Sequence, residues 1–205
     1  MDTTGRRAAP QGSKGISRKG AKAQRENAKA EIALQGAGIA RCGEELEMSG
    51  GHHIETVTRA TFEAVLPLIA EYQRFYRAQP DAARNREHFS QFLEDHRRGI
   101  LFIARDAKAK VLGFATLYFF LSSVQARTQC ILNDLYTVPE VRGQGIGRAL
   151  IEHCRRHARQ LGFDQLTWQT ERSNETAQRL YDRLGAERSE WLTYSLPVLA
   201  RDEQR

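Results

Sequence analysis

Residues 132–161, LNDLYTVPEVRGQGIGRALIEHCRRHARQL, leave little freedom in what can be built around them. An apolar, β-branched run over 130–138 meets Pro139 and passes through the loop Arg142-Gly143-Gln144-Gly145-Ile146-Gly147. It then becomes a helix whose apolar positions Ile146, Leu150, Cys154, Ala158 and Leu161 recur at helical spacing. The first turn of a helix carries unpaired N–H groups and a partial positive charge, and glycines without Cβ let an anion come close to them. Arg142 and Arg148 add full charges, so the expected guest is a phosphate or pyrophosphate.

Three phosphate motifs compete for this loop. A Walker loop would place Lys and then Ser or Thr after its last glycine, but the chain reads Gly147-Arg148-Ala149. A dinucleotide fingerprint needs G-x-G-x-x-G, whereas Gly143, Gly145 and Gly147 are spaced G-x-G-x-G late in the chain. The third pattern, Arg or Gln, two residues, Gly, one residue, Gly or Ala, fits Arg142-x-x-Gly145-x-Gly147 with a strand before it and a helix after.

On these residues the chain resembles the GNAT superfamily of acetyl-CoA-dependent N-acetyltransferases. A second stretch strengthens the resemblance: residues 166–186, LTWQTERSNETAQRLYDRLGA, look like the family's fifth strand and the helix after it, with Asn174, Tyr181 and the terminal Leu-Gly-Ala. The similarity covers residues 54–197. It implies a mixed α/β fold, a mostly antiparallel sheet of about six to seven strands with about four helices on its faces.

The chain of 205 residues suits one domain with a sizeable core plus something extra, and no apolar run reaches the length of a membrane span. Residues 1–50 carry few large apolar side chains, so they read as a disordered basic tail ahead of a domain over 51–205. Met48, just before Ser-Gly-Gly-His-His, is an alternative start. Cys42, Cys130 and Cys154 are an odd set without paired spacing, which suggests neither a disulfide framework nor a zinc site and fits a reducing cytoplasm. The net charge of +6 is spread along the chain, so nucleic acid is not an expected partner.

Along the chain, residues 54–58 alternate as a strand. Thr61 is placed to cap a helix with the stripe Phe62, Val65, Leu66, Ile69, Tyr72 and Tyr76, in which Pro67 predicts a kink or restart. A second amphipathic helix is expected over 84–97, ended by Gly99. Strands follow over 100–105 and 111–121 as a hairpin, with Gly113 marking a bulge. After the organising strand and helix come a strand over 165–170, a helix over 174–184 and a final strand over 186–196.

The resemblance also implies roles. Backbone N–H groups of Gly143, Gln144, Gly145, Ile146 and Gly147 would hold the pyrophosphate of acetyl-CoA, with the charges of Arg142 and Arg148 flanking them. Leu135, Tyr136 and Thr137 would pair with its pantetheine arm, and an amide near Leu135 or Tyr136 would stabilise the oxyanion. Asn174 and Tyr181, seven apart and so only about 20° out of line on a helix, would both face the cosubstrate. Asn174 would hold the arm and Tyr181, protonated at neutral pH, would protonate the leaving thiolate. Asp134 is the candidate base. The run Leu132-Asn133-Asp134-Leu135-Tyr136 is similar to the polyamine-acetylating branch, although Asn133 stands where that branch commonly has Glu. The acceptor expected is a primary amine of a small molecule, polyamine or protein, attacked directly in a ternary complex; a homodimer is left open, and no metal is implied. A non-catalytic acyl-CoA sensor is the alternative. His153 and His157, four apart on a helix, lack the Glu of a metalloprotease and read as a solvated flank.

Overall fold

Runs of alternating apolar residues, separated by short turns, fold into a meander. The computed structural model describes residues 51–198; the expectations for residues 1–50 and the Met48 start lie outside the described residues. Strands β1 (His52–Thr56), β2 (Gly99–Asp106), β3 (Val111–Ser122), β4 (Arg127–Thr137) and β5 (Leu166–Thr167) form one sheet in chain order. The first four are antiparallel, and β5 joins β4 in parallel. Helices α1 (Phe62–Phe75) and α2 (Ala82–Glu94) precede β2, and α3 (Ile146–Gln160) makes the crossover from β4 to β5. The expected mixed α/β architecture is present with five strands among the described residues, fewer than the six to seven expected.

Each face of the sheet has its own helices. Leu101, Ile103 and Phe114 pack with Phe62, Val65 and Ile69 of α1 and with Phe89 and Phe92 of α2. On the opposite face Phe102 meets His153 and His157 of α3 edge-on. Helix α1 runs through Pro67 without a restart. Burying Phe62, Val65 and Ile69 is worth about 1.5–3 kcal/mol each, more than the roughly 3 kcal/mol an interior proline costs. Both Pro67 and Glu63, whose carbonyl loses its partner, are exposed to water. Thr61 makes no side-chain cap; its hydroxyl instead accepts from the N–H of Thr58 at 2.9 Å.

Gly99 opens β2 instead of ending α2, which stops at Glu94. A Cβ at Gly99 would sit 2.2 Å from the Leu117 carbonyl oxygen and 2.9 Å from the Phe92 ring, so close packing, not helix termination, requires the glycine. The irregularity expected at Gly113 is present: Gly113 faces Ala104 and Val111 faces Arg105, with Leu112 as the extra residue.

His153 and His157 are half-buried against the sheet instead of forming a solvated flank. Burial pushes both imidazoles down to about 4, with the charges of Arg156 and His157 acting on His153 and of His96 on His157. A histidine depressed from 6.5 favours the native state when neutral, so stability is lost as pH falls from about 6.5 toward 4. The melting temperature should therefore fall between pH 7 and pH 5, and His157→Gln should reduce that slope. A flat profile would contradict the half-buried neutral imidazoles.

From Thr170 onward the chain forms a second compact unit. It contains α4 (Glu175–Arg183), whose N-cap is Asn174, and Arg188 pairs with Asp182 at 2.8 Å. The final strand expected over 186–196 is not formed; residues 186–197 have no regular secondary structure. A short alternating pattern fits a pleated surface but needs a neighbouring strand to become one.

Candidate functional site

Two features of β4 build the site. The first is its free edge. Beyond Arg127–Thr137's pairing with β3, β5 pairs only with Cys130 and Ile131, so from Leu132 onward no described strand covers the outer edge of β4. Leu135, Tyr136 and Thr137 thus offer backbone groups on that side, as an extended arm would need. The Arg142 guanidinium turns back over Phe75 and Tyr136, at 5.7 and 5.8 Å from the ring centroids, and its Nε donates to the Thr137 carbonyl at 3.3 Å. Arg142 therefore braces the strand end instead of extending freely over the loop.

After the 3-10 turn Pro139–Val141 the chain enters the glycine loop. Gly143 and Gly145 have φ of 80° and 88°, in the left-handed region that glycine occupies without strain, and a Cβ at either would meet nothing within 4 Å. Gly145 is the N-cap of α3 and supplies no capping side chain. The N–H groups of Ile146, Gly147 and Arg148 at the start of α3 have no acceptor within the helix, and Gln144 donates its side-chain amide to the Glu140 carbonyl at 3.1 Å. These are features that fit a diphosphate: exposed amides, a helix N-terminus and room for close approach.

The second feature is a bulge. Thr116 faces Asp134 and Leu117 faces Leu132, leaving Asn133 without an opposite residue on β3. Strict alternation would put Asp134 on the same face as Cys130 and Leu132. Cys130 lies near Cys154 on the α3 side, whereas Asp134 and Tyr136 lie with Tyr72 on the α1 side. The extra residue re-aims the carboxylate.

Asp134 is 6% exposed. Burial holds its carboxyl above the ordinary carboxylate range, partly countered by the Asn133 amide, which donates at 3.1 Å, and by the nearby hydroxyls of Thr116 and Tyr72. Its Oδ2 is buried and meets no donor in good hydrogen-bond geometry, and Thr116 Oγ1 likewise has no partner in such geometry, although the Thr116 and Tyr72 hydroxyls lie close enough to favour the charged carboxylate. An orphaned buried acceptor of this kind costs about 1–3 kcal/mol, which an incoming N–H donor would recover. Tyr72 and Tyr118 border the niche; burial, aided by the Asp134 charge, pushes both phenols up, so they stay protonated. Tyr118 stacks on Phe92 at 5.3 Å, and its hydroxyl meets His88 Nε2 at 3.1 Å.

Asn174 and Tyr181 belong to the second unit. Asn174 stands outside the helix as its N-cap, and its side chain accepts from the Ala177 N–H at 3.3 Å. A helical angle between it and Tyr181, which lies within α4, therefore does not apply. Thr116, Tyr118 and His88 carry no signal in the sequence that marks them for this niche, whereas Tyr72 reads as a core aromatic on the helix pair near which the family resemblance puts the acceptor pocket. The alternation Phe114, Thr116, Tyr118 is a signal for their shared face, but nothing in it marks Asp134 as the opposite number. Among the described residues no group of three or more His, Cys, Asp or Glu is placed to hold a metal ion.

Comparison with known proteins gives a consistent result. The profile of the acetyltransferase (GNAT) family matches residues 65–186. An uncharacterized N-acetyltransferase, YhfO, of Bacillus subtilis (strain 168) is 35% identical over 139 residues, covering 67% of this chain and 92% of that protein. The D-amino-acid N-acetyltransferase HPA3 of Saccharomyces cerevisiae is 31% identical over 125 residues, covering 60% of this chain and 76% of the yeast protein. Among solved structures, the crystal structure of a probable acetyltransferase superposes with a TM-score of 0.64 at 27% identity, covering 73% of this chain and 99% of the other.

Proposed function

Since the chain belongs to the acetyltransferase (GNAT) family and is an N-acetyltransferase with acetyl-CoA as cosubstrate, we propose that it acetylates the primary amine of a small molecule, with Asp134 as the base. The observation that carries this reading is the buried Asp134 carboxylate, whose Oδ2 has no partner in good hydrogen-bond geometry. An ammonium entering the niche donates to that oxygen, loses one proton to it and becomes the free amine that attacks. The bound thioester supplies the acetyl carbon and a thiolate leaving group. On the protein side, the amides of Leu135 or Tyr136 stabilise the developing oxyanion, and Tyr181 returns a proton to the leaving sulfur. The loop amides over 142–148 grip the diphosphate, the free edge of β4 at 135–137 orders the arm, and Asn174 steadies it.

Direct attack, without an acetyl-enzyme, is supported by the cysteines. Cys130 and Cys154 are buried with thiols pushed upward, on the face opposite Asp134, so neither is a ready nucleophile. Their free state also suits a reducing cytoplasm. A small acceptor is favoured by the D-amino acid named for the yeast relative. The test is free-thiol release from acetyl-CoA with small amines, polyamines and lysine peptides. Small amines should give the highest kcat/KM with intersecting initial-rate lines. Turnover confined to peptides, or parallel lines, would contradict the proposal.

A further inference from the structure

Resting on Asp134 as the base, we propose that Tyr72 is a positioning residue for the reaction: its hydroxyl, reaching in from α1, holds the Asp134 carboxylate toward the incoming amine. In the sequence Tyr72 is one aromatic of an apolar helical stripe, a place that needs no hydroxyl. The structure gives that hydroxyl a destination.

Strand register brings the two groups together. Phe114 on β3 faces Tyr136 on β4, and the next pair on the same side of the sheet is Thr116 and Asp134. The Tyr72 ring stands edge-on against the first pair, with centroids 5.7 Å from Phe114 and 6.3 Å from Tyr136, and its hydroxyl reaches toward the carboxylate of the second. Tyr76 adds another edge-on contact at 5.0 Å. The helix turn beneath the ring is fixed as well: Gln73 exchanges two amide hydrogen bonds with the buried Asn85 of α2, at 2.7 and 2.9 Å. Packing thus locates the ring without help from the O–H, and a phenylalanine would keep the ring in place while removing that O–H alone.

The surroundings leave the O–H a distinct task. Asn133 donates to Oδ1 at 3.1 Å from the strand of Asp134 itself, and Thr116 lies opposite on β3. Tyr72 approaches from the helix layer. The titratable groups that act with Asp134 are His88 of α2, Tyr118 of β3 and Tyr72 of α1. Burial pushes the Tyr72 phenol well up, so at working pH it donates and never competes as an anion. A donor to a carboxylate favours the charged form, against the burial that disfavours it. When an N–H bond of the ammonium breaks and an O–H bond forms on Oδ2, the O–H of Tyr72 stays intact. Tyr72 therefore sets how readily Asp134 is charged and where it points, and passes on no proton itself.

The test is Tyr72→Phe, read in two ways beside the wild type and Asp134→Asn. In carbon NMR of the free enzyme, the Asp134 carboxyl signal is identified by its loss in Asp134→Asn. It should titrate about one pH unit higher in Tyr72→Phe, the size of a hydrogen bond to a charged group. In thiol release with the most active small amine, the acid limb of kcat should move up equally, so the rate loss should reach about tenfold on that limb and shrink as pH rises. An unchanged carboxyl midpoint, or a uniform loss with the limb in place, overturns the role of Tyr72 while Asp134 stands as the base. An acid limb that survives in Asp134→Asn overturns the base, and this inference with it.

Discussion

Asp134→Asn is expected to lower kcat by about 10²–10⁴, the range supplied by a positioned general base, with little change in acetyl-CoA affinity. Asparagine keeps the shape of the side chain but has no site that takes a proton at neutral pH. The pH profile separates this from a packing defect. In the wild type the rate should rise with pH as Asp134 ionises, with a midpoint above the usual carboxylate value because burial disfavours the charged form. In the variant that acid limb should vanish. Stability should move the other way: a carboxyl whose pKa is raised on folding destabilises the native state once pH exceeds the unfolded value of about 3.9, so Asp134→Asn should melt higher at pH 7. A variant with wild-type turnover and an unchanged acid limb would remove Asp134 from the chemistry.

The second large effect concerns the loop. Gly145→Asp should reduce acetyl-CoA binding below calorimetric detection, whereas Gly145→Asn should bind within about tenfold of wild type. Both residues tolerate the left-handed backbone that Gly145 adopts at φ 88°, and no neighbouring atom lies within 4 Å of a Cβ there, so the pair differs mainly in charge. A carboxylate about 4 Å from one phosphate charge costs about 4 kcal/mol at an effective dielectric of 20, or about three decades of affinity. Equal affinities for the two variants would mean that the diphosphate does not sit on this loop.

These two sites were unequally legible in the sequence. The glycine loop is legible because the left-handed backbone at Gly143 and Gly145 is one that glycine adopts without strain. Asp134 stands out as a carboxylate in an apolar strand, but its direction depends on a bulge at Asn133 that no local pattern signals. One inserted residue moves every later side chain to the other face. The Tyr72, Thr116, Tyr118 and His88 surroundings come from three separate elements, so their meeting is a tertiary fact. Local rules also failed where packing outweighed them. Pro67 does not interrupt α1, Gly99 is fixed by the Phe92 ring and the Leu117 carbonyl, and the pattern over 186–196 forms no strand. The two histidines of α3 look like a polar flank in one dimension, yet the sheet covers them with Phe102.

The most direct test of the whole account is a crystal structure with coenzyme A and an unreactive amine acceptor bound together. The amine nitrogen should lie within hydrogen-bond distance of Asp134 Oδ2, with the diphosphate on the amides that open α3. An amine bound elsewhere, with Oδ2 still unpaired, would contradict the central role given to this carboxylate.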